Sequence, residues 1–249
     1  MTVFVEKVSV PGRVFAVGDI HGCPDEVWHL VEYLGRKEGF CDDDAIIFLG
    51  DYIDRGPDSK GVIELMIEFR KRFRNAYFLK GNHEDMLLSF LEFGGRMGEA
   101  FLYNGGLETM QSYCISVFSA PRDMVNMFPE EHFKFFCSLG SAVRTNGEVY
   151  VHAGLNPEVP MEKQIGDDVF WIRDEFIACK HGFDLTVVFG HTPHREVFVH
   201  LPYKVGIDTG LVFGNKLSCL ELKSRRVYQI KRNSNSVSCR KLGKSLKLS

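Results

Sequence analysis

The 249-residue sequence lacks closely spaced cysteine pairs and long hydrophobic runs, and each absence excludes a class of protein. Its seven cysteines are scattered from Cys23 to Cys239 without a CxxC pair, which argues against a thiolate zinc site and a disulfide framework. No run approaches the roughly 18 apolar residues that a membrane span needs. Residues 1–7 lack the basic start, apolar core and small-residue cleavage site of a signal peptide. We therefore expect a cytoplasmic protein that does not enter a membrane.

Acidic residues are absent after Glu221, although the whole chain has a formal net charge of −3. The same C-terminal segment contains nine Lys and Arg residues. Such a segment can attract acidic partners or nucleic acid. Its Asn233-Ser234-Asn235-Ser236 stretch instead favours a solvated end, so we predict one domain over residues 1–232 and a basic polar tail over residues 233–249. Nucleic acid is therefore not an expected partner.

Three short polar motifs organise the first third of the chain, and each follows a run of β-branched and aromatic residues. The runs predict buried strands at residues 13–17, 45–49 and 75–79. The motifs are GDIHG, GDYIDRG and GNHE, which start at Gly18, Gly50 and Gly81. Helices are predicted after them, from Pro24 to Gly35 or Gly39, at residues 59–70 and at residues 84–93. A strand, a motif and a helix repeated three times indicate the βαβ arrangement of a parallel sheet.

The pattern changes after the third unit. Residues 94–139 are typical of short helices and predict a small helical cap beside the pocket at the strand ends. Asn146-Gly147 predicts a hairpin turn between two strands. Residues 186–189 predict another buried strand, and the strand patterns that follow between residues 197 and 231 predict a second, largely antiparallel sheet. The expected fold class is α/β (α+β), with two packed sheets and helices outside them.

Six polar residues at predicted strand ends have the chemistry of metal ligands. They are Asp19, His21, Asp51, Asn82, His152 and His191. Asp19 and His21 are two residues apart, so an extended backbone directs both side chains to one face. Carboxylate, imidazole and amide groups are ligands for cations such as Mn2+, Fe or Zn2+. The set is large enough for two ions, which together can clamp a phosphate ester during its displacement.

Four further residues suit the cleavage of a phosphate ester. Asp54 could orient His83 and keep it protonated, and a cationic imidazole can act as the general acid for the leaving alkoxide. Arg55 can bind phosphate oxygens with its planar guanidinium. Arg173, within the stretch WIRDEF, is a candidate for a second phosphate clamp.

Five motifs in this order, GDIHG, GDYIDRG, LKGNHE, VHAG and FGHTP, resemble those of the phosphoprotein phosphatase family of two-metal phosphoesterases. The later stretches WIRDEF and GIDTGLVFG are similar to its compact bacterial and phage branch, which includes protein phosphatases and symmetrical diadenosine tetraphosphatases. The resemblance extends over about residues 14–222. It implies a calcineurin-like β-sandwich of two mixed sheets flanked by helices.

The resemblance also implies a role for each candidate residue. One metal would be held by Asp19, His21 and Asp51, and the other by Asp51, Asn82, His152 and His191. The Asp54–His83 pair would be the acid catalyst, and Arg55 and Arg173 the phosphate clamps. The implied reaction is in-line attack by a metal-bound hydroxide without a covalent phosphoenzyme. The expected cofactors are two divalent ions, Mn2+ first, with Fe or Zn2+ as alternatives.

The leading functional hypothesis is a Ser/Thr protein phosphatase that hydrolyses phosphate monoesters. The alternative is a symmetrical bis(5'-nucleosyl)-tetraphosphatase, which splits diadenosine tetraphosphate into two ADP. The two enzymes would share metals and clamps and differ at the pocket rim, mainly at residues 94–139. A module that binds phosphorylated partners without turnover is a third hypothesis, and intact His83 and Asp54 argue against it. We expect a monomer that acts on a phosphorylated protein or a nucleotide.

Overall fold

The computed structural model of this protein describes Val3 and residues 5–244. The strands are β1 (Val5–Lys7), β2 (Val14–Val17), β3 (Ala45–Phe48), β4 (Ala76–Phe78), β5 (Ala142–Arg144), β6 (Glu148–Val151), β7 (Thr186–Phe189), β8 (Phe198–His200), β9 (Lys204–Gly206), β10 (Lys216–Glu221), β11 (Arg226–Lys231) and β12 (Val237–Lys241). The helices are α1 (Pro24–Glu38), α2 (Ser59–Arg72), α3 (Asn82–Phe90), α4 (Gly106–Ser112), α5 (Pro121–Val125), α6 (Glu130–Cys137), α7 (Gly166–Trp171) and α8 (Asp174–Ile177). Short 3-10 helices cover Gly98–Ala100, Leu102–Asn104, Met161–Lys163 and Leu211–Phe213.

The first sheet has the strand order β12-β11-β10-β2-β3-β4. Its β2, β3 and β4 are parallel, and α1, α2 and α3 follow them in turn. The three predicted strand–motif–helix units are therefore confirmed. The side chains of β3 are buried along its whole length. β3 lies between two parallel neighbours, and such a strand is covered on both faces of its sheet.

The second sheet has the order β1-β5-β6-β7-β9-β8 and is mixed. β5 and β6 form the predicted antiparallel hairpin, but β6, β7 and β9 run parallel. The expectation of a second, largely antiparallel sheet was therefore wrong. The connection from β6 to β7 contains α7 and α8, which gives it the length that a parallel crossover requires. The late strands β10, β11 and β12 join the first sheet instead. β10 pairs antiparallel with β2, and the pairs β10–β11 and β11–β12 are also antiparallel.

The two sheets pack face to face, and the alternation of side chains along each strand decides which residues lie between them. On β2, Ala16 faces the second sheet and packs with Val188 and Val205, whereas Phe15 and Val17 face the helices. The helices α7 and α8 cover the outer face of the second sheet. The fold is thus the two-sheet sandwich with outer helices that the sequence predicts. Among the residues that the structure describes, no helix is long and apolar enough to cross a membrane.

Residues 94–139 form short helices, as predicted, and pack against the helices of the first sheet. α4 and α6 both contact α2, and α6 also contacts α3. A hydrogen bond of 2.8 Å between Tyr113 Oη and His132 Nδ1 ties the end of α4 to α6. The start of α4 is held next to the second polar motif, because the backbone N–H of Arg55 donates to the carbonyl of Gly105 at 3.0 Å.

Part of the predicted basic tail, residues 233–249, belongs to the first sheet. Val237–Lys241 is the edge strand β12, paired with β11. Arg240 in this tail contacts Glu196, and Arg232, the last residue before the tail, contacts Glu26, each at 2.6 Å. The sequence pattern gave no sign of these partners, since they are distant along the chain. Residues 245–249 lie outside the described part of the chain.

Candidate active site

The carboxyl ends of five strands meet at one edge of the sandwich, and the six predicted metal ligands lie there. Asp19 and His21 follow β2, Asp51 follows β3, Asn82 follows β4, His152 follows β6 and His191 follows β7. All six are buried. Parallel strands end at a common edge, so residues that are far apart in sequence come within a few ångströms of one another.

His21 faces one oxygen of Asp51. Its Nδ1 donates to the carbonyl of Ile53 at 2.8 Å, which leaves the lone pair on Nε2. That Nε2 lies 3.4 Å from Asp51 Oδ2. His83 Nε2 lies 4.0 Å from the same oxygen. His21, Asp51 and His83 thus form one group of side chains that could share a cation.

His152 faces the other oxygen of Asp51. Its Nδ1 donates to the carbonyl of Leu49 at 2.8 Å, so its Nε2 also carries a lone pair. That Nε2 is 3.4 Å from Asp51 Oδ1 and 3.1 Å from Asn82 Oδ1. His191 Nδ1 is 2.8 Å from the same amide oxygen, and its Nε2 is buried without a hydrogen-bond partner. Asp51, His152 and His191 form a second group that could hold a cation.

These two groups fit divalent cations. The lone pair of His152 Nε2 faces an oxygen of Asp51 at 3.4 Å, an arrangement that is repulsive unless a cation lies between them. His21 Nε2 lies at the same distance from the other oxygen of Asp51, and it also accepts a hydrogen bond from Arg55 Nη1 at 3.0 Å. Burial lowers the pKa of His21 to about 3, and it also lowers the pKa of His152 and of His191. Burial opposes ionisation of Asp51, but the surrounding histidines, His152 first, lower the pKa of its carboxyl. Neutral imidazoles and an ionised carboxylate are the forms that bind a metal.

Asp19 lies in the same site but is oriented by the backbone. Its carboxylate accepts the N–H of His191 at 3.2 Å on Oδ1 and 3.0 Å on Oδ2. Burial raises the pKa of Asp19, and the nearby carboxylates of Asp208 and Asp51 raise it further. Three carboxylates so close together in a buried site add to its capacity for cations.

α3 begins at Asn82, two residues before the predicted start at Glu84. Gly81 is the N-cap, and the carboxylate of Glu84 accepts its backbone N–H at 2.9 Å. The same carboxylate accepts the N–H groups of Asp51 at 3.0 Å and Tyr52 at 2.8 Å. Glu84 therefore binds the second motif to the third. Glu84 is the last residue of the GNHE motif, but the sequence analysis gave it no role, because that role depends on contacts across the site.

The predicted Asp54–His83 pair is formed. His83 Nδ1 lies 2.7 Å from Asp54 Oδ2, and both side chains are buried. The other carboxylate oxygen of Asp54 accepts from the hydroxyl of Thr109 at 2.6 Å. Burial acts against the charged imidazole, but the carboxylates of Asp51 and Asp54 outweigh it and raise the pKa of His83. Thr109, on α4, is a residue that sequence reasoning missed.

The two predicted phosphate clamps differ in their surroundings. Arg55 reaches into the site, with Nη1 3.0 Å from His21 Nε2. Gly105 packs directly on it, because a Cβ at that position would lie 2.6 Å from Arg55 Cγ. Arg173 is exposed at the start of α8, and its charge adds to the lowering of the pKa of His191. The structure thus places Arg55 inside the site and Arg173 at its rim.

Asp208 is a buried residue that sequence reasoning also missed. It follows β9 within GIDTG, and its carboxylate accepts the N–H of Gly210 at 2.9 Å. Burial raises the pKa of Asp208 to about 6. It lies close enough to Asp19 to raise the pKa of that carboxyl as well. Nothing in its spacing links it to Asp19, because it lies on a different sheet.

Comparison with known proteins finds relatives among phosphoesterases. The family model described as calcineurin-like phosphoesterase matches residues 12–214. A protein of Oceanobacillus iheyensis, named asymmetrical bis(5'-nucleosyl)-tetraphosphatase PrpE, is 28% identical over 240 residues, which cover 88% of this chain and 92% of that protein. A protein of the same name from Halalkalibacterium halodurans is 30% identical over 225 residues, which cover 82% of this chain and 87% of that protein.

A solved structure gives the same fold. It carries the name of a candidate diadenosine tetraphosphatase and superposes with a TM-score of 0.68 at 24% sequence identity. The superposition covers 92% of this chain and 99% of that chain. At this level of identity the likeness concerns the fold alone.

Proposed function

The chain belongs to the calcineurin-like phosphoesterase family and is a metal-dependent phosphoesterase, and we propose that its substrates are dinucleoside tetraphosphates. One observation supports the chemistry above all: the two oxygens of Asp51 face two separate sets of histidines. Asp51 could take part in holding two cations, and such a pair of ions would supply the charge neutralisation that the displacement of a phosphoryl group needs. The names of the two bacterial relatives support the substrate class.

The leading hypothesis from the sequence, a Ser/Thr protein phosphatase, has less support than its alternative, a nucleotide hydrolase. The relatives are named asymmetrical enzymes, whereas the alternative was a symmetrical one. We therefore propose asymmetrical hydrolysis, in which a dinucleoside tetraphosphate yields a nucleoside triphosphate and a nucleoside monophosphate. A phosphoserine peptide is the comparison substrate.

The proposed metal ligands keep the roles that the resemblance implies. They are Asp19, His21 and Asp51 for one ion, and Asp51, Asn82, His152 and His191 for the other. The bound ions, for which we propose Mn2+, supply activation of water and neutralisation of phosphoryl oxygens. Glu84 accepts the backbone N–H of Asp51, and the carbonyls of Ile53 and Leu49 accept from the Nδ1 atoms of His21 and His152. These contacts hold the ligands in place.

The remaining residues act on the phosphate chain. In this proposal His83 donates the proton on Nε2 to the leaving oxygen, while its Nδ1 proton stays on the Asp54 side; the contact between Nδ1 and Asp54 supports this role. Arg55 binds phosphate oxygens inside the site with its planar fork of donors. Arg173 binds them at the rim, where an exposed side chain can close on a long substrate.

The test is a comparison of kcat/KM for the Mn2+-loaded protein on diadenosine tetraphosphate and on a phosphoserine peptide. We expect the dinucleotide to be preferred at least a hundredfold, and ATP with AMP to appear on ion-exchange chromatography. Two ADP would support the symmetrical alternative. A preference for the peptide would overturn the proposed substrate class. The His83→Asn variant, assayed in parallel, excludes a contaminating hydrolase.

A further inference from the structure

An exposed aromatic ring lies directly against the inner phosphate clamp. Phe213 ends the short 3-10 helix Leu211–Phe213 and is 63% exposed, whereas Leu211 in the same helix is buried. The guanidinium carbon of Arg55 lies over the Phe213 ring, 5.5 Å from its centroid. That distance is within the range of a cation–π contact. A large apolar ring is thus displayed to solvent beside the group that we expect to bind phosphate.

The turn that carries Phe213 is fixed to the floor of the site. The carboxylate of Asp208, buried beside Asp19, accepts the N–H of Gly210 at 2.9 Å. The carbonyl of Gly210 in turn accepts the N–H of Phe213 at 3.1 Å and of Asn215 at 3.2 Å. The backbone that carries the ring is therefore held in place relative to the metal ligands before any ligand binds, which reduces the ordering cost of binding.

We propose that Phe213 is a stacking surface for the base of a nucleotide whose phosphates bind Arg55. This inference rests on the proposed function for the identity of the substrate. A substrate that matches the surface needs a planar ring joined by a short link to a phosphate chain. A nucleoside polyphosphate has both parts, whereas a phosphoserine peptide has no planar ring near its phosphate. Base stacking on aromatic side chains is sequence-tolerant, since every base presents a π-face.

A simpler role for Phe213 would be to hold Arg55 in place by the contact with its guanidinium. The two roles differ in what they predict for a ligand without a base. If Phe213 only positions Arg55, removing the ring weakens the binding of every phosphate ligand. If it stacks on a base, the loss is confined to ligands that carry one. Pyrophosphate and ADP form a suitable pair, because both present a diphosphate and only ADP has a base.

The experiment measures the dissociation constants of ADP and of pyrophosphate for the Mn2+-loaded full chain by calorimetry. The Phe213→Leu variant, which keeps apolar bulk, should bind ADP roughly tenfold more weakly and pyrophosphate less than twofold more weakly. The Phe213→Trp variant should bind ADP as well as the wild type or better. The control is Phe118→Leu. Phe118 is 97% exposed, and in the described part of the chain its ring makes no cation–π contact with Arg55. This variant should bind both ligands as the wild type does.

Equal weakening of ADP and pyrophosphate in Phe213→Leu would overturn the inference and leave Phe213 as a positioning residue for Arg55. Unchanged ADP binding would overturn it as well. These outcomes are independent of the proposed function, because binding of ADP is measured without turnover. A protein that fails to hydrolyse diadenosine tetraphosphate but loses ADP selectively in Phe213→Leu would refute the proposed substrate and retain the stacking surface.

Discussion

His83 Nδ1 lies 2.7 Å from Asp54 Oδ2, and neither side chain is more than 1% exposed. The pair joins the first turn of α3 to the second polar motif. A carboxylate at this distance fixes the tautomer of the imidazole and directs Nε2 toward Asp51. The contact accordingly has a kinetic consequence that can be measured.

Changing His83→Asn should lower kcat on the preferred substrate by about 10²–10⁴-fold, the usual contribution of a general acid. Metal content, measured by atomic emission after dialysis, should stay at the wild-type level because the proposed ligands remain. His29→Asn, which changes a histidine of α1 outside the site, is the matched control. A full rate on a substrate with a poor leaving group would show that His83 is not the acid.

Changing Asp51→Asn should abolish tight binding of divalent ions, because one carboxylate faces both histidine groups. Mn2+ at one hundred times its Kd should stabilise the wild-type protein by about 2.7 kcal/mol, and the variant should show no such gain. Thermal unfolding with and without Mn2+ measures the difference. Asp123→Asn removes an exposed acid of α5 and should respond to Mn2+ like the wild type; a normal response in Asp51→Asn would contradict the bridging role.

Changing Gly56→Ala should destabilise the fold by about 1–3 kcal/mol, the range for overpacking. A Cβ there would lie 1.8 Å from the carbonyl oxygen of His21, so the first and second motifs would have to move apart. Gly147→Ala is the control, since a Cβ at Gly147 meets no atom within 4 Å. Urea unfolding of both variants tests the prediction, and equal midpoints would refute it.

Lys204 gives the unfolding free energy a pH dependence in the alkaline range. It is buried on β9, and its ammonium donates to the carbonyls of Phe176 and Cys179. Burial lowers its pKa in the folded protein to about 8, while the unfolded value is about 10.4. Between these values the unfolded chain binds the extra proton, so the contribution of Lys204 to stability rises with pH.

The Lys204→Met variant lacks this titration. Wild-type stability should therefore rise relative to the variant as the pH increases from 8 to 10, and the difference between them should be constant below about pH 7. Urea unfolding at pH 7, 8, 9 and 10 provides the measurement, and other titrations cancel in the comparison. A difference that does not change with pH would contradict the lowered pKa.

Much of the fold was predictable, because local sequence patterns mark where its helices and strands begin and end. α1 begins at Pro24 and ends with Gly39 as its C-cap, both marked in the sequence. The assignment of strands to sheets was not predictable, since the pattern of a strand does not identify the strand with which it pairs. β10 pairs with β2 in the first sheet and β7 with β6 in the second. The first of these pairings joins segments more than a hundred residues apart, and the second skips the two helices between β6 and β7.

The sequence by itself determined which side chains stand at the strand ends, because each of those residues follows a local hydrophobic run. Only the tertiary structure decided that Thr109 supports Asp54, that Asp208 lies beside Asp19 and that the guanidinium of Arg55 lies over the ring of Phe213. These contacts join α4 and the turn after β9 to motifs in the first quarter of the chain. These contacts leave no periodic pattern in the sequence, since they form only when the two sheets and the short helices of residues 94–139 pack around one edge.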